Sequence, residues 1–176
     1  AFNGCSSIRS LILHNMIRFI GNYGFYNCTS ITDIHLPSSL QYIGDYAFYN
    51  CKGFDSSIIF NNIEIIGEHG FDNCAFLNEI EISSYHCIIK DNAFQNSSLR
   101  SFIYKTNDGS IGGFTFENCT FLESAEIHSN YCTIGIGSFS GCTKITKIIL
   151  PPNIQNLGKC TFSNCKVLTK IKLPLS

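Results

Sequence analysis

Charge is scarce in this chain. Of its 176 residues only 14% are charged, and the net charge is −1. So slight a balance supplies no bulk attraction for nucleic acid or for an anionic membrane. Long apolar runs are missing as well. Stretches such as Ser10–Ile20 are broken by His14, Asn15 and Arg18, well short of the roughly 18 apolar residues a membrane helix requires. No basic segment leading into an apolar one opens the chain, so no signal peptide is visible. There is no C-x-x-C pair, and the four residues between Cys160 and Cys165 include no histidine, a spacing that argues against zinc. Nor do the spacings form a Ser-His-Asp arrangement, a phosphate-cradling glycine loop or a close carboxylate pair. The expectation is a protein that is not an enzyme and that carries no cofactor and no metal.

What the chain does have is a repeat. A small residue, Phe, two residues and Cys recur, with the phenylalanines at positions 2, 25, 48, 71, 94, 116, 139 and 162. Six of the seven intervals are 23 residues and one is 22. Other positions hold the same phase: Ile31, Ile34 and Leu36; Leu77, Ile80 and Ile82; Ile145, Ile148 and Leu150; Leu168, Ile171 and Leu173. The last two of each set alternate, the period of a strand with one buried face. Pro37, Pro151 and Pro174 close such strands, where a missing N–H costs little. Five residues before each Phe stands another apolar residue, from Ile20 and Ile43 to Leu157, usually followed by glycine. That glycine suits a turn with positive φ; Lys90 breaks the rule. A single unit cannot bury its apolar face, whereas stacked units can. The periodicity therefore predicts one solenoid array over residues 1–176, about seven to eight coils, with a parallel sheet. The A-F-x-x-C segment is predicted as a 3₁₀ or single α turn. The array begins and stops mid-repeat without recognisable polar caps, so it reads as a fragment of a longer one.

Ten cysteines suggest a disulfide framework until the repeat is applied. Seven of them (5, 28, 51, 74, 119, 142 and 165) occupy one repeat position. A column with parallel Cβ vectors disfavours pairing, and small buried thiols are the expected outcome. Cys87 and Cys132 share another position two coils apart, and Cys160 falls out of frame. Asparagine precedes most of the column cysteines. Asn27, Asn96 and Asn118 thereby open glycosylation sequons, but a periodic Asn is read as bonding turn backbone. His14, His35, His69, His86 and His128 are read as isolated surface residues. The 22-residue interval falls between Asn96 and Leu99, and the next turn, Lys105 to Ser110, loses the Pro-x-Ser-Leu pattern. Repeat drift, a local bend and a distinct loop all remain open there.

The unit L-x-x-I-x-L-P-x-S-L-x-x-I-G-x-x-A-F-x-x-C, clearest from Ile31 through Leu36-Pro37, Leu40, Ile43-Gly44 and Ala47-Phe48 to Cys51, closely resembles the BspA-like, Treponema pallidum-type leucine-rich repeat. The resemblance implies a right-handed β-rich superhelix with its parallel sheet on the concave face and short helical turns opposite. It also implies surface-associated or secreted proteins, often adhesive. Outward positions of the strands are then the candidate contacts. One column reads Ile12, His35, Ile58, Glu81, Ile103, Glu126, Ile149 and Lys172; its neighbour includes Asp33, Ser56, Glu79, Lys147 and Lys170. Four isoleucines there exceed what a solvated face requires, although β-branched residues also simply suit strands. The expected function is binding of another protein or a glycoconjugate through that face, with no nucleic acid and no membrane insertion. The alternative is a cytoplasmic scaffold, since unpaired thiols suit a reducing compartment.

Overall fold

The computed structural model describes residues 1–54, 57–75 and 77–173. Each coil contributes two strand segments, one to each of two walls. The first coil supplies β1 (Ser10–Ile12) and β2 (Phe19–Ile20), the second β3 (Asp33–His35) and β4 (Tyr42–Ile43). Then come β5 (Ile58–Phe60) with β6 (Ile65–Ile66), and β7 (Glu79–Ile82) with β8 (His86–Ile89). In the next two coils the segments fuse into single strands, β9 (Ser101–Ile111) and β10 (Ser124–Ile134), which turn the corner and join both walls. The last pair is β11 (Lys147–Ile149) and β12 (Ile154–Leu157). All pairing is parallel. The result is the expected parallel-sheet solenoid.

Stacking of like on like sets the register. On the second wall Ile20, Ile43, Ile66, Ile89, Ile111, Ile134 and Leu157 face one another in sequence. On the first, Ile80, Phe102, Ala125 and Ile148 do the same. This second wall is an addition to the sequence expectation, which saw one strand per coil. The turn that loses its Pro-x-Ser-Leu pattern is an uninterrupted stretch of β9.

The third side is an arc built from the A-F-x-x-C segments, and here the helical expectation is corrected. The described residues contain no helix. Instead, from the second coil on, the arc places two residues per coil in the left-handed region, at Tyr23, Tyr46, His69, Asn92, Phe114, Gly137 and Cys160, and at Asn27, Asn50, Asn73, Asn96, Asn118, Gly141 and Asn164. Between them the backbone turns tightly, with bonds such as Cys28 N–H to Phe25 C=O, and also bonds coil to coil, as in Phe25 N–H to Ala47 C=O (2.7 Å) and Asn27 N–H to Tyr49 C=O (2.9 Å). Asparagine tolerates this conformation better than other chiral residues. Its side chains add a ladder, Asn50 Nδ2 donating to Asn27 Oδ1 and Asn73 Nδ2 to Asn50 Oδ1, each at 3.0 Å.

The glycine column also differs from its prediction. Gly44 has no left-handed φ; a Cβ there would meet Asn22 N at 2.5 Å. Close approach of successive backbones is the constraint. Within the coils, the phenyl rings form an unbroken pile from Phe2 to Phe162, with neighbouring centroids 5.0–5.7 Å apart.

Phe71 lies fully buried between Phe48 and Phe94, at 5.3 Å from each. Phe71→Ala is therefore expected to destabilise the fold by about 3–5 kcal/mol, measured by denaturant unfolding. Phe2→Ala, at the 44%-exposed end of the pile, should cost less; equal losses would contradict the stacked-core account.

Candidate functional site: the outer face of the first wall

Alternation along the first-wall strands puts every second side chain in the core and the others outside. Ile12 is 77% exposed. Asp33, His35, Glu79, Lys147, Lys170 and Lys172 are exposed, while Glu81, Ile103, Glu126 and Ile149 are partly covered. Ile58 is the correction: it is 8% exposed and pairs with buried Ile80, whereas Ile59 stands outside at 56% and pairs with Glu81. The cause is a shift of one residue. Ile58 stands four positions after Phe54, where Ile34 stands three after Ile31 and Ile80 three after Leu77. A one-residue slip moves a side chain to the opposite face. The same slip places Ser57 opposite Glu79, where its Oγ donates to Glu79 Oε2 at 2.9 Å. Ser56 lies outside the described residues, as does Pro174.

The corrected outward column therefore runs Ile12, His35, Ile59, Glu81, Ile103, Glu126, Ile149, so that isoleucine alternates with a polar residue from coil to coil. Rungs of a sheet lie about 4.8 Å apart, which spaces the isoleucines at about 10 Å. The polar residues are largely engaged with one another. Lys105 Nζ reaches Glu81 Oε1 at 2.8 Å, and Ser83 Oγ donates to the same oxygen at 2.9 Å. Lys147 pairs with Glu126, which also lies 3.2 Å from His128 Nε2. The hydrogen bond from its lysine, above all, holds each of these two carboxyls below the usual range. The charges of Glu81 and Glu126 are thus partly neutralised within the face, beside the isoleucines that alternate with them.

Histidines are less isolated than expected. His35 lies 3.1 Å from Asp33, His69 Nδ1 2.7 Å from Asp72 and His86 Nδ1 2.5 Å from Asp108. Two of the partners, Asp33 and Glu126, sit two residues before their histidine on one face of a strand, a spacing legible in the sequence. Asp108 comes from the next coil and was not. Among the described residues no group of three or more His, Cys, Asp or Glu is placed to share a metal, and no helix is long and apolar enough to cross a membrane.

The column cysteines are core thiols. Cys28, Cys51, Cys74, Cys119 and Cys142 are fully buried, and all ten cysteines are free. Each column thiol beyond the first coil donates to the phenylalanine carbonyl of the coil before: Cys51 to Phe25 O at 3.1 Å, Cys119 to Phe94 O at 3.0 Å, Cys165 to Phe139 O at 3.2 Å. Cys87 and Cys132 are buried too, separated by Gly109 in the intervening coil. A Cβ at Gly109 would lie 2.1 Å from Cys87 O and 2.2 Å from the Tyr104 hydroxyl, which itself donates to Cys87 O at 2.5 Å. Cys160 is exposed, in the left-handed region. Burial pushes the thiols of Cys51, Cys87, Cys119 and Cys132 from 9.0 up to about 12, the opposite of what a nucleophilic thiolate needs.

Comparison with known proteins agrees with this geometry. The sequence model of the BspA type leucine rich repeat region matches in six copies, over residues 1–120 and 109–176. A solved leucine rich repeat protein of T. pallidum is similar over 96% of this chain and 68% of its own, at 24% identity and a TM-score of 0.63. A leucine rich cell surface protein of Faecalibacterium prausnitzii A2-165 is similar over 99% of this chain, at 17% identity and a TM-score of 0.61; this chain spans 63% of that protein's length. Likeness at these identities concerns the fold. No curated protein matches.

Two expectations follow from the thiols. In the native state a thiol reagent should titrate Cys160 at once and the partly buried Cys5 and Cys165 slowly, with all ten reacting only on unfolding; fast reaction of the column would overturn its burial. Alkali should also destabilise the fold. The unfolded chain releases these protons near 9.0, the folded one nearer 12. The stabilisation is complete below pH 9 and drains away as pH rises from there toward 12, by up to ~1.4 kcal/mol per pH unit for each thiol. Denaturant midpoints at neutral pH and near pH 10 measure it, and an unchanged midpoint would refute the assignment.

Proposed function

Because the chain belongs to the BspA-type leucine-rich repeat family, we propose that it is a binding module that holds another protein against the outer face of its first wall. Solenoids of this class are typically non-enzymatic scaffolds for interaction. The observation that carries the assignment is the isoleucine stripe. Ile12 and Ile59 are large and exposed, on a surface where Glu81 and Glu126 are paired with Lys105 and Lys147. Apolar side chains so presented gain most from a partner that excludes water from them. The flanking Asp33, Glu79, Lys147, Lys170 and Lys172 form a polar rim, which favours specificity over bulk attraction.

The setting in which such a face acts is adhesion: a protein presented at the cell surface or secreted, contacting host or matrix protein. The resemblance to the BspA-like family favours it. A specific observation favours a second reading, an intracellular scaffold: ten cysteines, none of them paired, persist most easily in a reducing compartment.

Binding to an array of immobilised extracellular-matrix proteins tests the surface. The triple change Glu79→Lys, Glu81→Lys, Glu126→Lys and the single change Ile59→Glu should each lower affinity for a captured partner by about tenfold or more. Ile59 and Glu79 are exposed, while Glu81 and Glu126 are partly covered and paired with lysines, so a thermal midpoint measured for each variant separates lost binding from lost stability. Unchanged binding in both would remove this face from the assignment.

A further inference from the structure

The coil that carries Ile58 is out of step with its neighbours, and the displacement opens a groove. Its first-wall strand starts one residue late, yet its second-wall strand returns to phase. Ile66 follows Ile58 by eight positions, where Ile43 follows Ile34 by nine and Ile89 follows Ile80 by nine. The corner of this coil is therefore one residue shorter than the corner above it. Residues 83–86 of the next coil overhang the gap. A groove of about 390 Å³ results, within the range of small-molecule sites, about 300–1,000 Å³.

Every residue that lines it carries a hydrogen-bonding side chain. Gln41, Asn61 and Glu64 come from the two earlier coils; Ser84, Tyr85 and His86 form the overhang. Asn62, also on the wall, is anchored by donating to Ser38 O at 2.8 Å. His86 is held by Asp108. The ring of Tyr85 is 79% exposed, so one large aromatic surface stands open beside the carboxamides.

Ser84 is a lining residue whose hydroxyl is buried. It is only 6% exposed, and its hydroxyl has no hydrogen-bond partner among the described residues. The equivalent hydroxyls in the next two coils are satisfied. Thr106 Oγ1 donates to Ser129 Oγ at 3.1 Å, and Ser129 Oγ donates to Tyr131 O at 3.0 Å. The hydroxyl that lacks a partner belongs to a residue that lines the groove, but is itself closed off from solvent. A buried polar group left unmatched is costly and rare in folded proteins.

We propose that this groove is a binding site for a neutral sugar, one or two pyranose units long. Carboxamides both donate and accept, and a carboxylate accepts from two neighbouring hydroxyls, which together match a polyhydroxylated ring. The open face of Tyr85 offers a stacking surface for the ring's C–H groups. Glu64 contributes a negative charge, and the nearest counter-charge candidate, His86, is already paired to Asp108. Anionic ligands are thereby disfavoured. This site lies at the corner between the walls and is independent of the isoleucine face.

Saturation-transfer NMR on the intact chain tests it, with the methyl pyranosides of glucose, galactose, mannose and N-acetylglucosamine presented singly and sialic acid as the anionic probe. At least one neutral pyranoside should show transfer. Tyr85→Ala and Glu64→Gln, both at exposed positions, should each weaken that signal about tenfold, and Ile59→Glu should leave it unchanged. Transfer to no neutral sugar, to sialic acid alone, or transfer indifferent to both Tyr85→Ala and Glu64→Gln would overturn the proposal.

Discussion

The thiol of one coil donates to a phenylalanine carbonyl in the coil before it, while the phenyl ring next to that carbonyl lies flat against its own counterpart. Together these contacts tie adjacent coils at one corner of the triangle, and the two walls follow from the register so imposed. Cysteine suits the position because its side chain is small and apolar enough for a dry core yet carries a weak donor. A serine there would bring a stronger dipole needing fuller satisfaction. The one coil with serine supplies it: Ser97 is buried, with Oγ 3.3 Å from Cys119 Sγ. The same coil holds the 22-residue interval. The chain absorbs a lost residue there without breaking either the phenyl pile or the second wall.

Periodicity exposes whatever repeats in step with the phenylalanines, and for that reason the core was legible. The phenyl pile, the thiol column and the asparagine ladder all occupy constant phase, so counting in units of 23 finds them. The second wall escaped the count because strands as short as Tyr42–Ile43 are too brief to show alternation; their strand character comes from the neighbours they bond to. The arc escaped for a related reason. Left-handed φ at Asn27 or Asn50 is suggested by residue type, but at Tyr23, Tyr46 and His69 it is imposed by the stack. There the rings of Tyr23 and Tyr46 lie parallel at 5.1 Å, and Tyr46 and His69 stack at 4.6 Å. Tertiary contacts override a local preference of order 1–3 kcal/mol at such positions.

The candidate contact face was legible in outline and wrong at one residue, for a reason that is itself physical. Fixed phase placed Ile58 outside. Two compensating shifts, one before the strand and one after it, leave the phenylalanine spacing at 23 and so stay invisible to the period. They are visible in the pairing, because β3 bonds to β1 and β5 to β7, while among the described residues no ladder joins β3 to β5. Charge pairing across the face was equally out of reach, since Glu81 and Lys105 meet only once the coils are stacked.

A solenoid built by stacking like on like has little freedom inside. Each inward residue faces copies of itself above and below, so a change in one coil must be matched in the next. Recognition is therefore confined to outward positions and to breaks in the regularity. The contact stripe proposed above would use the first of these, with its spacing set by the rung height. The proposed groove site would use the second. Among the described residues no ladder joins β3 to β5 at the displaced coil, and in the coil that follows Ser84 is left without a partner. Both are costs that a regular coil avoids. Their coincidence with the polar cleft beside Tyr85 is what sets this coil apart from ordinary drift, because drift alone has no reason to gather carboxamides, a carboxylate and an uncovered aromatic ring at the same corner.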